Sequence, residues 1–118
     1  MGDTTSITLG SLLLAGLSGV LMAIQGSINA SLGKVIGIWE ATFIVHVIAV
    51  IVLFLMLFGI KLGDGSFSNI NQAPWYSYLG GVISVFIIYL VALSIPKLGA
   101  ANATTAIIIG QVLMAGVI

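Results

Sequence analysis

The few charged residues are so placed that they divide the chain into four long uncharged windows. Three of the 118 residues are Lys or Arg and three are Asp or Glu. A helix needs about 20 apolar residues to cross the hydrocarbon core of a bilayer. The windows are 20 to 32 residues long, so each can cross a membrane once and none can cross twice. The charged residues are Asp3, Lys34, Glu40, Lys61, Asp64 and Lys97, and the windows are 4–33, 41–60, 65–96 and 98–118.

The composition excludes most classes of soluble protein. Hydrophobic residues make up 60% of the chain and charged residues 5%, whereas soluble domains carry about 25% charged residues. The formal net charge is zero, and no basic cluster is present that could neutralise phosphates, so nucleic acid is not expected as a partner. The composition therefore predicts a single hydrophobic domain, residues 1–118, in contact with the lipid bilayer.

The four windows predict helices, because in lipid a backbone must satisfy its own hydrogen bonds and no alternating β-barrel pattern is present. Residues 33–37 form a short turn, residues 61–73 form the only long loop, and Pro96 is expected to interrupt the third helix. The fold class is all-α, a bundle of four transmembrane helices. Their predicted bounds are 11–32, 39–60, 75–95 and 100–118.

The two ends of the chain and its lysines give further expectations. Residues 106–118 have no charge or aromatic anchor after them, so we expect a fifth segment to be missing here.

The lysines predict the orientation of the chain in the membrane. Lys34 and Lys97 lie on one side of the membrane and Lys61 on the other. The positive-inside rule then puts the N-terminus outside, with a bias so small that insertion both ways is also permitted.

A polar strip on the first helix is the most informative feature of the sequence. At 100° per residue, Gln25 and Asn29 share a face about 60° wide with Ser18 and Met22. The amides either line a polar cavity and bind a ligand, or hydrogen bond to a neighbouring helix and only hold the bundle together. A strip of small residues beside them is expected to pack against other helices. Its members are Gly19, Ala23, Gly26 and Ala30.

The third and fourth helices carry fainter versions of both patterns. Thr104 and Gln111 lie about 20° apart on the fourth helix, so their side chains and those of the first helix could converge on one cavity. In the third helix the small residues Gly80, Gly81 and Ser84 predict close packing.

Two titratable residues lie near the predicted spans. Glu40 stands at a helix start, where it either interacts with the helix dipole and headgroups or couples protons. His46 is one turn deeper, and it is either a proton carrier or ligand contact, or a neutral ring bonded to a carbonyl. The chain has one His and no Cys, and it shows no paired carboxylates within a span and no metal-ligand cluster. We therefore predict no enzyme, no cofactor and no metal site.

Several short motifs, taken in order, resemble a known family. The run from Gly19 to Gly33, with Gln25-Gly26 and Asn29-Ala30, resembles the first-helix signature of the YdcZ-type half-length family of the bacterial drug/metabolite transporter superfamily (EamA-like). Later segments match in order across residues 10–118. They are Pro74-Trp75-Tyr76, Leu79-Gly80-Gly81, Pro96-Lys97-Leu98-Gly99-Ala100-Ala101 and Gly110-Gln111.

The resemblance implies a function and an assembly. Proteins of this family have about five helices, and an odd number places a second copy upside down, which generates an inverted repeat. It implies a multi-pass protein of the bacterial inner membrane, which moves a small solute by alternating access as an antiparallel homodimer or with a related half-transporter. The alternative is a structural or accessory membrane subunit without transport activity of its own.

A more distant likeness to the small multidrug-resistance proteins limits the mechanism. Those proteins carry an essential glutamate in the first helix, where this chain has Gln25 and Asn29. We therefore expect these two amides, with Thr104 and Gln111, to bind the substrate. Coupling to protons would then fall to His46 or Glu40.

Overall fold

A computed structural model describes residues 2–63 and 65–118, with side chains from Thr5 onward; Asp64 and the side chain of Asp3 lie outside the described part. The described residues form helices and no strand. Four helical stretches are long and apolar enough to cross a membrane, which confirms the predicted all-α bundle. The α-helices are α1 (Gly2–Ile36), α2 (Ile38–Phe54), α3 (Leu79–Leu98) and α4 (Ala100–Val117). A π-helical turn, Leu55–Gly59, continues α2. Two 3₁₀-helical segments, Phe67–Gln72 and Trp75–Tyr78, precede α3.

Two helices extend past the bounds that the sequence predicts. α1 begins at Gly2 rather than 11, because residues 4–10 contain no proline and their hydroxyl-bearing side chains are tolerated in a helix. α3 runs through Pro96 to Leu98, past the predicted end at 95. Proline removes one backbone donor but its fixed φ is compatible with a helix, and the loss falls in the last turn.

Single glycines make the two tight turns between helices. Gly37 joins α1 to α2 with φ 104°, and Gly99 joins α3 to α4 with φ 84°. Each glycine closes one helix and opens the next: the Gly99 N–H donates to the Ile95 carbonyl at 2.8 Å, and its own carbonyl accepts from the Ala103 N–H at 3.0 Å. Both turns lie at one end of the bundle, the turn end. The other end, which holds the start of α1 and residues 60–74, is the loop end.

The helices pack through small side chains near the turn end. α3 contacts the other three helices, and α1 contacts α2, α3 and α4. A Cβ on Gly26 would lie 2.9 Å from both Val91 and Ile95, so α1 and α3 cross there at close range. The buried side chains are all small or medium in size. They are Asn29, Ala30, Ala41, Thr42, Ala92 and Ala103.

The half of the bundle near the loop end has no covered interior. Among the described residues, no side chain is buried in the loop-end parts of the helices, which are 5–25, 47–60, 75–83 and 108–118. Exposed here means not covered by the rest of this chain. The chain therefore has a packed half next to the turn end and an open half next to the loop end.

Candidate functional site

The two amides of α1 lie along an open groove on the surface of that helix. The groove has a volume of about 410 Å³. Gln25 is exposed, whereas Asn29, one turn nearer the turn end, is 5% exposed. The lining is otherwise apolar and carries no charged side chain. It consists of Leu21, Met22, Ile24, Gln25, Ile28 and Asn29.

The Asn29 amide opens into this groove without a partner. Within residues 2–63 and 65–118, neither Asn29 nor Gln25 forms a hydrogen bond through its side chain. In the same part of the chain no fully buried side-chain nitrogen or oxygen lacks a partner. The Asn29 amide must therefore remain accessible from the groove, although the residue is almost covered. Ser18, on the same face, donates to the Ala15 carbonyl at 2.8 Å, so its hydroxyl is already satisfied.

The small residues of α1 divide into two groups by depth. Gly26 and Ala30 are buried at the contact with other helices. Gly19 and Ala23, nearer the loop end, are exposed, and nothing lies within 4 Å of a Cβ built on Gly19. The same is true of Gly80 and Gly81 on α3, which are exposed and have open space around them. Packing at these four exposed positions stays a prediction.

The polar residues of α4 do not join the α1 groove within one chain. Thr104 is half-buried and Gln111 is exposed, and the groove contains no residue of α4. Gln25 and Gln111 nevertheless lie at equal depth, each twelve residues from its glycine turn, which corresponds to about 18 Å of helix. Both amides thus lie at about the same distance from the turn end, on separate helices.

A cleft between α3 and α4 has no counterpart in the sequence analysis. Its volume is about 500 Å³, and its walls are apolar apart from Ser94 and Lys97. The Ser94 hydroxyl donates to the Val91 carbonyl at 3.0 Å, so it is satisfied within α3. The periodicity of the sequence could not predict this cleft, because the cleft depends on the angle between α3 and α4 at the Gly99 turn.

His46 connects α2 to α3 and uses both ring nitrogens. Nδ1 lies 2.7 Å from the Thr42 carbonyl oxygen, and Nε2 lies 3.1 Å from the Ser84 hydroxyl. A carbonyl can only accept, so Nδ1 carries the hydrogen and donates, which leaves Nε2 to accept from Ser84. In the neutral ring these two bonds select the tautomer with hydrogen on Nδ1. The bond to the Thr42 carbonyl agrees with one of the two interpretations of His46, a ring bonded to a carbonyl. The other ring nitrogen, Nε2, faces the Ser84 hydroxyl.

Glu40 lies at the start of α2, apart from the His46 pair. It is exposed in the first turn, and its carboxylate folds back over Gly37. A carboxylate at this position is favoured by the helix dipole. Beside it, the Trp39 ring stacks on Tyr89 of α3, with centroids 4.0 Å apart and planes at 18°. The stack adds a second link between α2 and α3, nearer the turn end than His46.

Comparison with known proteins identifies the family. Residues 10–118 match a family model described as "Putative inner membrane exporter, YdcZ". Neither a curated protein nor a solved structure matches the chain significantly. The family points to a transporter rather than an enzyme, and the four apolar helices make the chain a multi-pass inner membrane protein in contact with lipid. The chain therefore belongs to the YdcZ family of the drug/metabolite transporters.

Proposed function

We propose that the chain is half of a secondary exporter, which moves a small polar or amphipathic solute by alternating access as an antiparallel dimer. The observation that carries this proposal is the α1 groove, where a nearly buried Asn29 amide and an exposed Gln25 amide have no partner among the described residues. An amide facing hydrocarbon leaves polar groups unpaired, at a cost of several kcal/mol each. A solute, water or a second chain must therefore meet these groups.

The depth of the amides supports a site shared by two copies. In an inverted repeat the two-fold axis lies in the membrane plane, so mid-depth residues of both copies come together around it. Gln25 and Gln111 have this depth, and both are exposed on a single chain. Thr104 lies nearer the turn end and contributes to the wall of the site. A second copy, or a related half-transporter, would also cover the open half of the bundle.

Coupling to protons is assigned to His46, with Glu40 as the second candidate. His46 is half-buried, and its Nε2 faces the Ser84 hydroxyl, an oxygen that can either donate to the nitrogen or accept from it. Glu40 is exposed at the turn end, where its carboxylate meets headgroups and water more readily than a solute at mid-depth. The geometry therefore favours His46 for the coupling role.

Solute flux into liposomes tests the proposal. The purified full chain, reconstituted and supplied with a panel of neutral and charged amphipathic solutes, should move at least one of them. Gln25→Leu should reduce that flux about 3- to 10-fold, the effect of one lost hydrogen bond of ordinary strength. Ser18→Ala is the matched control on the same face, because the Ser18 hydroxyl bonds only within its own helix.

The outcomes separate a transporter from an accessory subunit. Flux that falls in Gln25→Leu and persists in Ser18→Ala supports the proposal. No flux with any solute, together with loss of assembly in Gln25→Leu and Gln111→Leu, would favour a structural subunit in which the amides only join helices.

A further inference from the structure

The pair formed by His46 and Ser84 lies at the boundary between the packed half and the open half of the bundle. Both residues are half-buried. On α2, the residues from Val47 to Phe54 are exposed, and on α3 the residues from Leu79 to Ile83 are exposed. The pair therefore stands at the inner limit of the open half, where the exposed stretches of α2 and α3 end.

We propose that Ser84 is a positioning residue of the proton-binding site, which keeps Nε2 of His46 hydrogen bonded in both its neutral and its protonated state. This inference rests on the proposed function, in which His46 carries the coupled proton. In the neutral state the Ser84 hydroxyl donates to Nε2 across 3.1 Å. When Nε2 takes a proton from a hydronium ion, a water molecule is released and the new N–H donates to the same oxygen.

A hydroxyl is suited to this exchange because it both donates and accepts. After His46 is protonated, the Ser84 hydroxyl can no longer donate to Nε2 and must donate to another acceptor. In a helix, a serine hydroxyl can reach the carbonyl four residues earlier, which here belongs to Gly80. One proton is bound, the hydrogen bond between Ser84 and Nε2 reverses its direction, and no covalent bond of the protein is broken. The Thr42 carbonyl accepts from Nδ1 in both states, so the ring keeps its orientation and α2 stays joined to α3.

No described charged group competes with Ser84 for the ring. α2 packs against α1 and α3, whose described titratable side chains are Lys34, Tyr89 and Lys97. Glu40 is the other titratable side chain on α2. The hydrogen bonds of the ring go to Thr42 and Ser84 and to none of these groups, and Tyr89 is stacked on Trp39. A hydroxyl and a carbonyl are therefore the only described hydrogen-bond partners of the ring.

The only histidine of the chain makes a direct spectroscopic test possible. The full chain, with ¹⁵N-labelled histidine in lipid nanodiscs, should show one tautomer with hydrogen on Nδ1 and a hydrogen-bonded Nε2. Ser84→Ala should keep that tautomer and move the Nε2 resonance towards the value of an unbonded ring nitrogen. Ser84→Thr, which restores the hydroxyl, should return the resonance to its wild-type position.

The wild-type spectrum decides the geometry even if a variant fails to fold. Hydrogen on Nε2, or an unbonded Nε2 in the wild type, would overturn the inference. An Nε2 resonance that is unchanged in a folded Ser84→Ala chain would overturn it as well.

Transport measurements separate this inference from the function on which it rests. The pH profile of solute flux should change in Ser84→Ala and return to that of the wild type in Ser84→Thr. If the spectra are as expected and no variant or wild-type chain moves any solute, the proposed function fails and the bonding geometry remains. If His46→Gln abolishes proton-driven flux while Ser84→Ala keeps the wild-type profile, the role of Ser84 is refuted and the function stands.

Discussion

Gly26 of α1 lies so close to Ile95 of α3 that a Cβ at this glycine would be 2.9 Å from the Ile95 Cδ1 atom. The Cγ1 atom of Val91 would also lie 2.9 Å from that Cβ. Small residues at helix crossings let backbones approach closely in membranes, where helices gain little from hydrophobic burial. The crossing also fixes the rotation of α1, and so decides that Asn29, three residues on, is almost covered while Gln25 is left exposed.

Enlarging Gly26 should therefore weaken the packed half of the bundle. We expect Gly26→Leu to lower the free energy of unfolding by about 1–3 kcal/mol, because the new side chain overlaps Val91 and Ile95. Reversible unfolding in mixed micelles would measure this. Gly16→Leu is the matched control, since nothing lies within 4 Å of a Cβ at that glycine. Equal loss in both variants would contradict close packing at Gly26.

The turn between α3 and α4 depends on the backbone of Gly99. Its φ of 84° and ψ of 153° belong to a region that side chains with a Cβ rarely adopt. Gly99→Ala should therefore cost about 1–3 kcal/mol of unfolding free energy, although open space surrounds the position. Gly110→Ala, in the interior of α4, should instead stabilise the helix by about 0.5–1 kcal/mol. A Gly99→Ala chain as stable as the wild type would refute the strained turn.

The lysines permit insertion in both orientations, and the proposed antiparallel homodimer requires it. Lys34 and Lys97 lie at the turn end and Lys61 at the loop end, so the orienting bias is one lysine. In right-side-out vesicles, an impermeant maleimide should label Ser66→Cys in about half of the molecules, as an antiparallel homodimer requires. Labelling after the vesicles are opened with detergent gives the total amount of reactive Ser66→Cys protein. Labelling of nearly all or nearly none of the molecules would exclude the antiparallel homodimer and leave a pair with a related half-transporter.

Proton coupling should be lost when His46 can no longer bind a proton. His46→Gln keeps a hydrogen-bonding side chain between α2 and α3 but removes the titratable ring. We expect proton-driven accumulation of solute to fall to background, while exchange of solute at equal pH on both sides continues. Glu40→Gln serves as the comparison and should retain proton-driven accumulation. The reverse result would transfer the coupling role to Glu40.

The sequence predicts the helices well because their causes are local. The spacing of the charges limits where a helix can cross, although α3 runs past its predicted end at 95 because Pro96 does not interrupt it. The polar face of α1 also follows from local periodicity, which places Gln25 and Asn29 on one side of the helix.

Features that depend on two helices at once could not be predicted in the same way. Periodicity places Gly19 and Gly26 on one strip, yet only Gly26 meets α3, because the bundle is packed in one half and open in the other. The bond between His46 and Ser84 joins residues 38 positions apart, so it depends on the register of α2 against α3. Ser84 was accordingly predicted only as a packing residue.

Water access at Gln25 tests the central claim, that the polar strip of α1 lines a cavity, most directly. The chain has no native cysteine, so single cysteines can be placed at will. Gln25→Cys is the test position, Val20→Cys on the opposite apolar face is the control, and Ser66→Cys in the loop reports labelling efficiency. We predict that an impermeant maleimide labels Gln25→Cys and Ser66→Cys but not Val20→Cys. Labelling at Ser66→Cys alone, with and without transported solute, would contradict a water-filled site and leave the amides as contacts between helices.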